Sequence, residues 1–250
     1  MRFSIVTCTR NSERYLSASI DSVTNQDYGE IERIFVDGGS TDATLDIIRA
    51  TPGNVKIVEN ICGSISHAMN VGIKTATGDV VAHLHSDDYY AHPRVLSHVS
   101  RALHQSGAEW LFGRCLSDID GVRTAERSPA PRYSYRRLLK GNFIPHPAVF
   151  IRRHLFDRTH GFDEHIKYAM DYDLWLKLGR LAEPLQLDEH LAVFRRHPES
   201  FSTANPLLAL RDDFAVRLRH ASSRPWTLAY HWLHYLVRRR RLQRRLARGH

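Results

Sequence analysis

Cysteine and long hydrophobic runs are scarce in this sequence of 250 residues. No segment offers the roughly 18 uninterrupted apolar residues of a membrane-spanning helix, and the apolar run after Arg2 is too short for the hydrophobic region of a signal peptide. The three cysteines, Cys8, Cys62 and Cys115, form no Cys-x-x-Cys pair. This excludes a disulfide framework and a cysteine zinc site. We expect reduced core thiols and a protein of the cytoplasm.

The glycine patterns of two common nucleotide-binding loops are also absent. Residues 37–42 contain two glycines, but neither the Gly-x-Gly-x-x-Gly pattern nor a phosphate-binding Gly-Lys-Ser/Thr loop. NAD-binding and P-loop proteins are therefore disfavoured. Residues 7–12 lack the glycine-rich basic loop with which a sugar-phosphate nucleotidyltransferase would hold a triphosphate.

The positive charge of the chain is concentrated at its C-terminus. No acidic residue follows Asp213, whereas ten arginines lie from Arg217 onward. The whole chain carries a formal charge of +8, from 35 basic and 27 acidic side chains. Without those ten arginines, 25 basic side chains face 27 acidic ones and the body of the protein carries −2. The basic character therefore belongs to a tail.

The tail combines aromatic residues with clustered arginines. Residues 226–237 include two tryptophans and two tyrosines, and residues 238–246 include six arginines. This pattern suits a helix lying in an anionic membrane interface. A helix packed on the rest of the protein and an arginine run that binds nucleic acid unselectively are the alternatives. Because no RNA- or DNA-binding motif is present, we expect no specific nucleic acid partner, and we expect the tail to bind an anionic membrane surface peripherally.

Short apolar runs alternate with longer amphipathic segments through the first half of the chain. They predict strands at 3–8, 31–36, 55–58 and 80–84, with helices at 12–25, 41–50 and 65–75. This order favours a mostly parallel sheet covered by helices on both faces. The length fits one large α/β domain with an appendage.

Polar residues follow each of the four predicted strands. They are Thr9, Arg10 and Asn11 after the first, residues 37–42 after the second, Glu59 and Asn60 after the third, and residues 86–88 after the fourth. Ligands of such sheets bind at the carboxyl ends of the strands. Four polar strand ends favour a functional rim over four unrelated loops.

Asp87 and Asp88 come almost directly after an apolar run. Two carboxylates at the end of a buried strand are costly unless positive charge lies between them. Mg²⁺ or Mn²⁺ carrying a diphosphate would supply that charge, because hard oxygen ligands hold these ions. The alternative is that both acids cap the next helix.

The loop 37–42 predicts a close approach of the backbone to a ligand. Gly38 and Gly39 permit a tight turn, and Ser40 or Thr41 can cap the following helix. A plain structural turn would have the same glycines. Asp37 is the residue that favours a binding loop, because its carboxylate can accept hydrogen bonds from the imide or hydroxyls of a nucleoside.

The second half is less regular. It predicts a strand at 109–116, a turn or hairpin at 117–127 around Asp120-Gly121, a break at 128–131 and a strand at 148–151. Prolines on both sides of His146 fix an extended backbone, which suits a substrate-lining segment or an ordinary connection. A helix begins near Asp171, where an acid often only complements the helix dipole. Of Asp171 and Asp173, only one can face a pocket.

Taken together, these segments resemble the family 2 glycosyltransferases of the GT-A fold, of the non-processive bacterial surface-polysaccharide type. The resemblance runs from Phe3 to about Ser202 and rests on the order and spacing of several motifs. The motifs are the first strand with Thr7 and Asn11, the loop Val36-Asp37-Gly38-Gly39-Ser40-Thr41-Asp42, residues 63–73, Ala76-Thr77-Gly78-Asp79, Ser86-Asp87-Asp88, Gly161-Phe162-Asp163-Glu164 and Asp171-Tyr172-Asp173-Leu174-Trp175.

The resemblance implies roles for particular residues. Asp171 matches the general base, although Met170 stands where close members have Glu. Asp88, assisted by Asp87, matches the ligand of Mg²⁺ or Mn²⁺. His197 would bind the diphosphate or complete the metal shell, or else be an exposed strand-end histidine. The implied substrate-binding residues are Thr7, Arg10, Asn11, Asp37, Gly39, Ser40, Asn70, Asp87, His146 and Arg196, and we expect His83 and His85 to be supporting or structural.

The function that the resemblance implies is metal-dependent, inverting transfer of one sugar from a nucleotide-diphospho-sugar, UDP-sugars favoured, to a glycan or lipid-linked acceptor. The Gln-x-x-Arg-Trp motif of processive synthases is absent, and residues 194–202 are similar to the Arg-x-His-x-x-Ser segment of non-processive members. We expect a GT-A catalytic domain at 1–205, with a nucleotide-sugar half at 1–90 and an acceptor half at 91–205, and a helical basic extension at 206–250. The alternative is a degenerate nucleotide-sugar or glycan-binding protein on the same fold.

Overall fold

Nine strands and nine helices form within the residues that the structure describes, which are 1–125, 131–197 and 205–247. In this computed structural model the strands are β1 Phe3–Thr9, β2 Ile31–Asp37, β3 Val55–Val58, β4 Val80–His83, β5 Tyr89–Tyr90, β6 Trp110–Ile119, β7 Val122–Ala125, β8 Val149–Arg152 and β9 Leu185–Arg195. The helices are α1 Glu13–Thr24, α2 Thr44–Arg49, α3 Ile65–Thr75, α4 Val95–Ser106, α5 Tyr135–Leu138, α6 His154–Thr159, α7 Met170–Leu181, α8 Pro206–His220 and α9 Pro225–Ala247.

The described strands form one sheet. Its order is β3-β2-β1-β4-β8-β6-β9-β5, and β7 pairs with β6. The first four strands pair in parallel, β8 runs antiparallel between β4 and β6, and β9 is parallel to β6. Most of the strands therefore run in one direction, which confirms the predicted α/β class with a mostly parallel sheet.

Helices cover the parallel strands closely enough to bury them on both faces. Every residue of β4 is buried, as expected for a strand between two helical layers. α1 turns Leu16, Ile20 and Val23 inward, at the three- and four-residue spacing that places side chains on one helix face. On α3, Gly72 lies directly against Val6 of β1, because a side chain at position 72 would overlap the valine.

The sequence predicted most elements, with some errors at their ends. The hairpin at Asp120-Gly121 is confirmed: β6 and β7 pair antiparallel, and both turn residues have positive φ, 50° and 83°, as two-residue hairpin turns require. α2 is shorter than predicted, and neither Ser40 nor Thr41 caps it. The predicted break at 128–131 lies mostly outside the described residues. The part of the Arg-x-His-x-x-Ser segment from residue 198 onward lies wholly outside them.

One alternative and one expectation from the sequence are wrong. Asp87 and Asp88 do not cap a helix, because they lead into β5 and α4 begins only at Val95. The three cysteines are free, but they are not all core residues: Cys62 is exposed and Cys8 is half-buried. Both lie on the cleft described below.

The C-terminal helices α8 and α9 pack on each other and on the sheet domain. Arg219 of α8 lies 2.6 Å from Asp163, and the Phe214 ring stacks on Tyr235 of α9 at 4.4 Å. Arg217 is fully buried between them. Within the three described stretches, none of the helices has the length and apolar character needed to cross a bilayer.

Replacing Gly72 with alanine tests the close contact between α3 and β1. We expect Gly72→Ala to lower the free energy of unfolding by about 1–3 kcal/mol, because the new methyl group overlaps Val6, despite the ~1 kcal/mol by which alanine favours a helix. Gly29→Ala is the control, since no atom lies within 4 Å of a side chain there. Equal stability of both variants in urea unfolding would contradict this packing.

Candidate active site

A cleft of about 950 Å³ opens at the carboxyl ends of the parallel strands. The parallel register places Thr9, at the end of β1, beside Asp37, at the end of β2. The segment after β4 forms one side of the cleft, and the start of α7 and the end of β9 form the other walls. The predicted site residues that line it are Arg10, Asn11, Asp87, Asp88, His146, Asp171, Arg196 and His197.

Asp37 organises the loop 37–42 instead of lining the cleft. Its carboxylate is fully buried and accepts hydrogen bonds from the hydroxyls of Thr9 (2.9 Å) and Ser40 (2.5 Å) and from the N–H groups of Gly39 (2.9 Å) and Ser40 (2.8 Å). Burial opposes ionisation, but these hydrogen bonds lower the pKa of the carboxyl. To contact a nucleoside, Asp37 would have to exchange one of these hydrogen bonds for one from the nucleoside. Nucleoside binding by Asp37 therefore stays a prediction.

Asn11 joins the loops that follow β1 and β2. It has a φ of 50°, its Oδ1 accepts the Thr41 N–H at 2.9 Å, and its own N–H donates to the Ser40 hydroxyl at 2.9 Å. One residue on, the Ser12 hydroxyl accepts a hydrogen bond from the Ser86 hydroxyl at 3.0 Å. The ends of three strands are therefore tied into one rim.

Asp88 is a fully buried carboxylate with only one satisfied oxygen. Oδ1 accepts the Arg195 N–H at 3.1 Å, from the end of β9. Oδ2 has no hydrogen-bond partner among the described residues. Burial, followed by the adjacent Asp87 carboxylate, raises the pKa of the Asp88 carboxyl well above its ordinary value. In the same corner, His197 Nε2 lies 2.9 Å from Asp87 Oδ2.

A divalent cation fits this corner of the cleft. A buried carboxylate oxygen without a partner is costly, and a cation would satisfy it. Asp87 offers a second hard oxygen, which suits Mg²⁺ or Mn²⁺. His197 is not an exposed strand-end residue, because its side chain is 13% exposed and its ring lies 5.1 Å from that of Tyr15.

Three histidines form an uncharged layer under the cleft. The His85 ring stacks on that of His146 at 4.8 Å, and the His83 ring lies 5.9 Å from that of His146. Burial lowers the pKa of all three imidazoles, to about 3 for His83. They are therefore neutral at physiological pH. His85 and His146 line the cleft, whereas His83 supports them from behind.

Asp171 faces the cleft from the first turn of α7. Its Oδ2 accepts a hydrogen bond from Asn142 Nδ2 at 3.0 Å, and its Oδ1 accepts the Tyr172 N–H at 2.7 Å. Burial raises the pKa of the carboxyl to about 6, and the Asp213 carboxylate contributes to this shift. Asp173 is instead fully buried away from the cleft and lies 2.8 Å from His220. Only one of the two acids faces the pocket, as predicted.

Thr7 and Asn70, two predicted substrate-binding residues, do not line the cleft. Thr7 lies in the middle of β1 on the face that α1 covers, and is 5% exposed. Asn70 holds Phe162, because its Nδ2 donates to the Phe162 carbonyl and its Oδ1 accepts the Phe162 N–H, both at 2.9 Å. Asn70 therefore ties α3 to the Gly161-Phe162-Asp163-Glu164 motif.

The sequence did not single out Asn142 or Arg195. Asn142 follows a glycine in an irregular segment, and no local pattern marks it as a partner of Asp171. Arg195 belongs to the Arg-x-His-x-x-Ser segment, in which nothing marks it as a partner of Tyr15, yet its guanidinium lies 4.6 Å from the centre of the Tyr15 ring. Both contacts join residues that are far apart in the chain, so only the fold reveals them.

Solved structures share this fold. The crystal structure of S. aureus TarS 1-349 in complex with UDP-GlcNAc has a TM-score of 0.72, with 24% identity, over 92% of this chain and 69% of that chain. The mannosyltransferase PcManGT from Pyrobaculum calidifontis, in complex with GDP-Man and Mn²⁺, has a TM-score of 0.69, with 18% identity, over 93% of this chain and 73% of that chain. The fold is therefore the GT-A fold of glycosyltransferases.

Sequence relatives give the family. The family model described as "Glycosyl transferase family 2" matches residues 4–159. An uncharacterised glycosyltransferase of Mycobacterium tuberculosis is 32% identical over 191 residues, which are 74% of this chain and 71% of the relative. Chondroitin synthase of Pasteurella multocida is 30% identical over 210 residues, which are 82% of this chain and 22% of that protein. The chain belongs to glycosyl transferase family 2 and is a glycosyltransferase.

Asp88→Asn tests the metal corner without any substrate. In metal-free buffer we expect the variant to unfold at the same temperature as the wild type or above it, because the substitution removes a buried charge. Mn²⁺ should raise the unfolding temperature of the wild type and not that of Asp88→Asn, since an ion that binds the native state stabilises it.

The control for this experiment is Asp157→Asn, an exposed acid on α6. It should keep the full response to Mn²⁺ in differential scanning fluorimetry. A response that survives in Asp88→Asn would place the ion elsewhere.

Proposed function

We propose that this protein transfers one sugar from a nucleotide-diphospho-sugar to a hydroxyl of a glycan or lipid-linked acceptor, with inversion, in polysaccharide biosynthesis. The observation that carries the proposal is that one cleft contains a buried carboxylate suited to a cation, Asp88, and a second carboxyl with a pKa of about 6, Asp171. A metal-diphosphate site and a base are the two groups that such a transfer needs.

The donor would lie along the rim formed by the ends of β1, β2 and β4. Arg10, Asn11 and Asp87 line the cleft there, while Asp37, Gly39 and Ser40 hold the loop behind it. A UDP-sugar is favoured, because the similar structure of S. aureus TarS contains UDP-GlcNAc. His146 and Arg196 line the other walls of the same cleft.

Asp88, Asp87 and His197 would hold the divalent cation, Mg²⁺ or Mn²⁺. When bound, the ion would neutralise the diphosphate as negative charge develops on the leaving group. The Arg195 N–H keeps the Asp88 carboxylate in place, and Asp87 keeps the His197 imidazole turned toward it. The chain would thus contribute carboxylate oxygens and an imidazole nitrogen from the segments that follow β4 and β9.

Asp171 would act as the general base. Its carboxylate takes the proton from the acceptor hydroxyl while that oxygen attacks the anomeric carbon from the face opposite the diphosphate, and this direct displacement inverts the configuration. A pKa of about 6 leaves the group ionised at neutral pH and still basic enough to accept a proton. The absence of the Gln-x-x-Arg-Trp motif of processive synthases favours the addition of a single sugar.

The proposed roles of these residues agree with a division of the chain into two halves and a C-terminal extension. We place the nucleotide-sugar half at 1–90, the acceptor half at 91–205 and the basic extension at 206–250. The acceptor half supplies Asp171, His146 and His197, whereas Asp213 of the extension contributes to the raised pKa of Asp171.

The tail helix α9 is proposed to rest on an anionic membrane surface at the inner face of the cell membrane. One side of α9 packs inward through His231, which is 3% exposed. Trp226, Trp232 and Leu233 are 68%, 51% and 64% exposed, and they precede an exposed run of arginines. Exposed aromatic groups beside clustered positive charge suit lipid headgroups better than water alone. A lipid-linked acceptor would be reached from this position.

Asp171→Asn tests the assigned base. We expect turnover to fall by about 10²–10⁴-fold, while stabilisation by the nucleotide donor stays unchanged, because the amide cannot accept the proton. In the wild type, kcat/KM should fall as the pH drops through about 6, where the carboxyl becomes protonated.

The matched control is Asp46→Asn, which changes an exposed carboxylate on α2. If a donor binds both Asp171→Asn and Asp46→Asn but neither variant turns it over, the result would favour the degenerate binding protein. Full turnover by Asp171→Asn would refute the assignment of the base.

Reversing two positive charges of the tail tests whether the tail binds an anionic membrane surface. The double variant Arg239→Glu/Arg240→Glu should bind phosphatidylserine vesicles on the order of thirtyfold more weakly or worse, since each arginine near such a surface contributes about 1 kcal/mol. Arg101→Glu/Arg158→Glu makes the same change in net charge at exposed positions away from the tail. If both double variants sediment equally with the vesicles, the tail is not the membrane-binding element.

A further inference from the structure

A buried cluster of charges lies behind the catalytic base, where the C-terminal helices meet the sheet domain. Arg238 of α9 lies 3.0 Å from Asp213 of α8, whose side chain is only 16% exposed. Arg217, also of α8, is fully buried. Arg217 is withdrawn from solvent, whereas the Arg238 side chain is 42% exposed. The proposed transfer reaction uses neither arginine.

These arginines hold the segment Leu138–Asn142 in place. Arg217 Nη1 donates to the Lys140 carbonyl at 3.2 Å. The Arg238 guanidinium lies against Gly141: a Cβ atom added at Gly141 would lie 3.7 Å from Arg238 Nη1. From the opposite side, the Tyr172 hydroxyl donates to the Leu138 carbonyl at 2.7 Å.

Asn142 is at the end of this segment and contacts the base directly. Its Nδ2 donates to Asp171 Oδ2 at 3.0 Å. Its Oδ1 accepts the Ile144 N–H at 3.1 Å, so the amide is oriented with its donor toward the carboxylate. A hydrogen bond of this kind fixes the carboxylate and favours its ionised form.

The charged groups around the base come from three helices. Asp213 raises the pKa of Asp171, after the larger effect of burial, and Arg238 and Arg217 oppose the charge of Asp213. Tyr172 of α7 and His234 of α9 also face the cluster. The pKa of His234 is lowered by burial and by Arg217, so this imidazole is neutral where the base works.

We propose that Asn142 is a positioning residue for Asp171, and that Arg217 and Arg238 hold Asn142 in place, so that the docked tail is a part of the active site. Arg238 thus differs from its exposed neighbours Arg239, Arg240 and Arg241, which face away from the domain. The proposal rests on the assignment of Asp171 as the base. It adds that lifting α9 away would loosen the residue that orients that base.

Carbon-13 NMR of the aspartate carboxyls tests Asn142 without any substrate. We expect Asn142→Ala to raise the pKa of Asp171 by on the order of half a pH unit or more, because the ionised form loses a hydrogen bond. The Asp171 signal is assigned by its loss in Asp171→Asn. Asn54→Ala, at an exposed position, should leave the titration unchanged. An unchanged pKa in Asn142→Ala would overturn the positioning role.

The side-chain amide signal of Asn142 tests the contribution of the tail. In the wild type this signal should shift with pH at the pKa of Asp171, because the two groups are hydrogen-bonded. In Arg238→Ala that pH response should be lost and hydrogen exchange across 138–142 should increase, whereas Arg238→Lys should restore part of both and Arg101→Ala should change neither. An intact response with unchanged exchange in Arg238→Ala would overturn the link to the tail.

These readouts are separate from the proposed function. If the titrations behave as expected but Asp171→Asn retains full turnover, the contact is correct and the base is another group. If Asp171→Asn is inactive but Asn142→Ala leaves both the titration and turnover unchanged, the base is correct and the positioning role is wrong.

Discussion

The buried carboxylate of Asp88 is the constraint on which the organisation of the cleft depends. A charged group without water needs a counter-charge or hydrogen bonds. Within the described part of the chain, Asp88 accepts one hydrogen bond, from the N–H of Arg195, and the charge of Arg195 opposes its own. That N–H comes from β9, a strand of the second half, which the pairing of β5 with β9 places beside the end of β4. The sheet therefore brings the two halves of the protein together at a buried acid, one of whose oxygens has no hydrogen-bond partner among the described residues.

The two sides of the cleft are held in different ways. On the side of β1 and β2, hydrogen bonds within short loops fix the rim, and the buried carboxylate of Asp37 collects four of them. On the side of α7, the base depends on contacts with distant segments, because Asn142 is oriented by Ile144 and the segment before it is held by Tyr172 and Arg217. The loop 37–42 thus supplies three of these four hydrogen bonds itself and Thr9 of β1 donates the fourth, whereas the contacts that hold the base join segments distant in the chain.

This difference explains what could be predicted from the sequence. The alternation of apolar runs predicted the parallel half of the sheet, and the acids after the fourth strand predicted that Asp88 lies in the cleft. Asp171, at the start of a helix, was identified through the resemblance to family 2 glycosyltransferases. The direction of individual side chains was harder to infer: Thr7 faces α1 and Asn70 is used by Phe162. Neither the spacing nor the residue type distinguishes a polar side chain that faces a ligand from one that satisfies a backbone group. Asn142 and Arg238 were missed because their partners lie 29 and 25 residues away in the chain.

The central claim is that the cleft binds a nucleotide-sugar together with a divalent cation. The most direct test is the unfolding temperature of the purified protein with UDP-, GDP-, dTDP- and CMP-sugars, each with and without Mn²⁺, since a ligand of the native state must raise it. The account predicts a rise with one nucleotide class, UDP-sugars first, that requires Mn²⁺ and Asp88. No rise with any donor, or a rise that is the same without the metal and in Asp88→Asn, would contradict it.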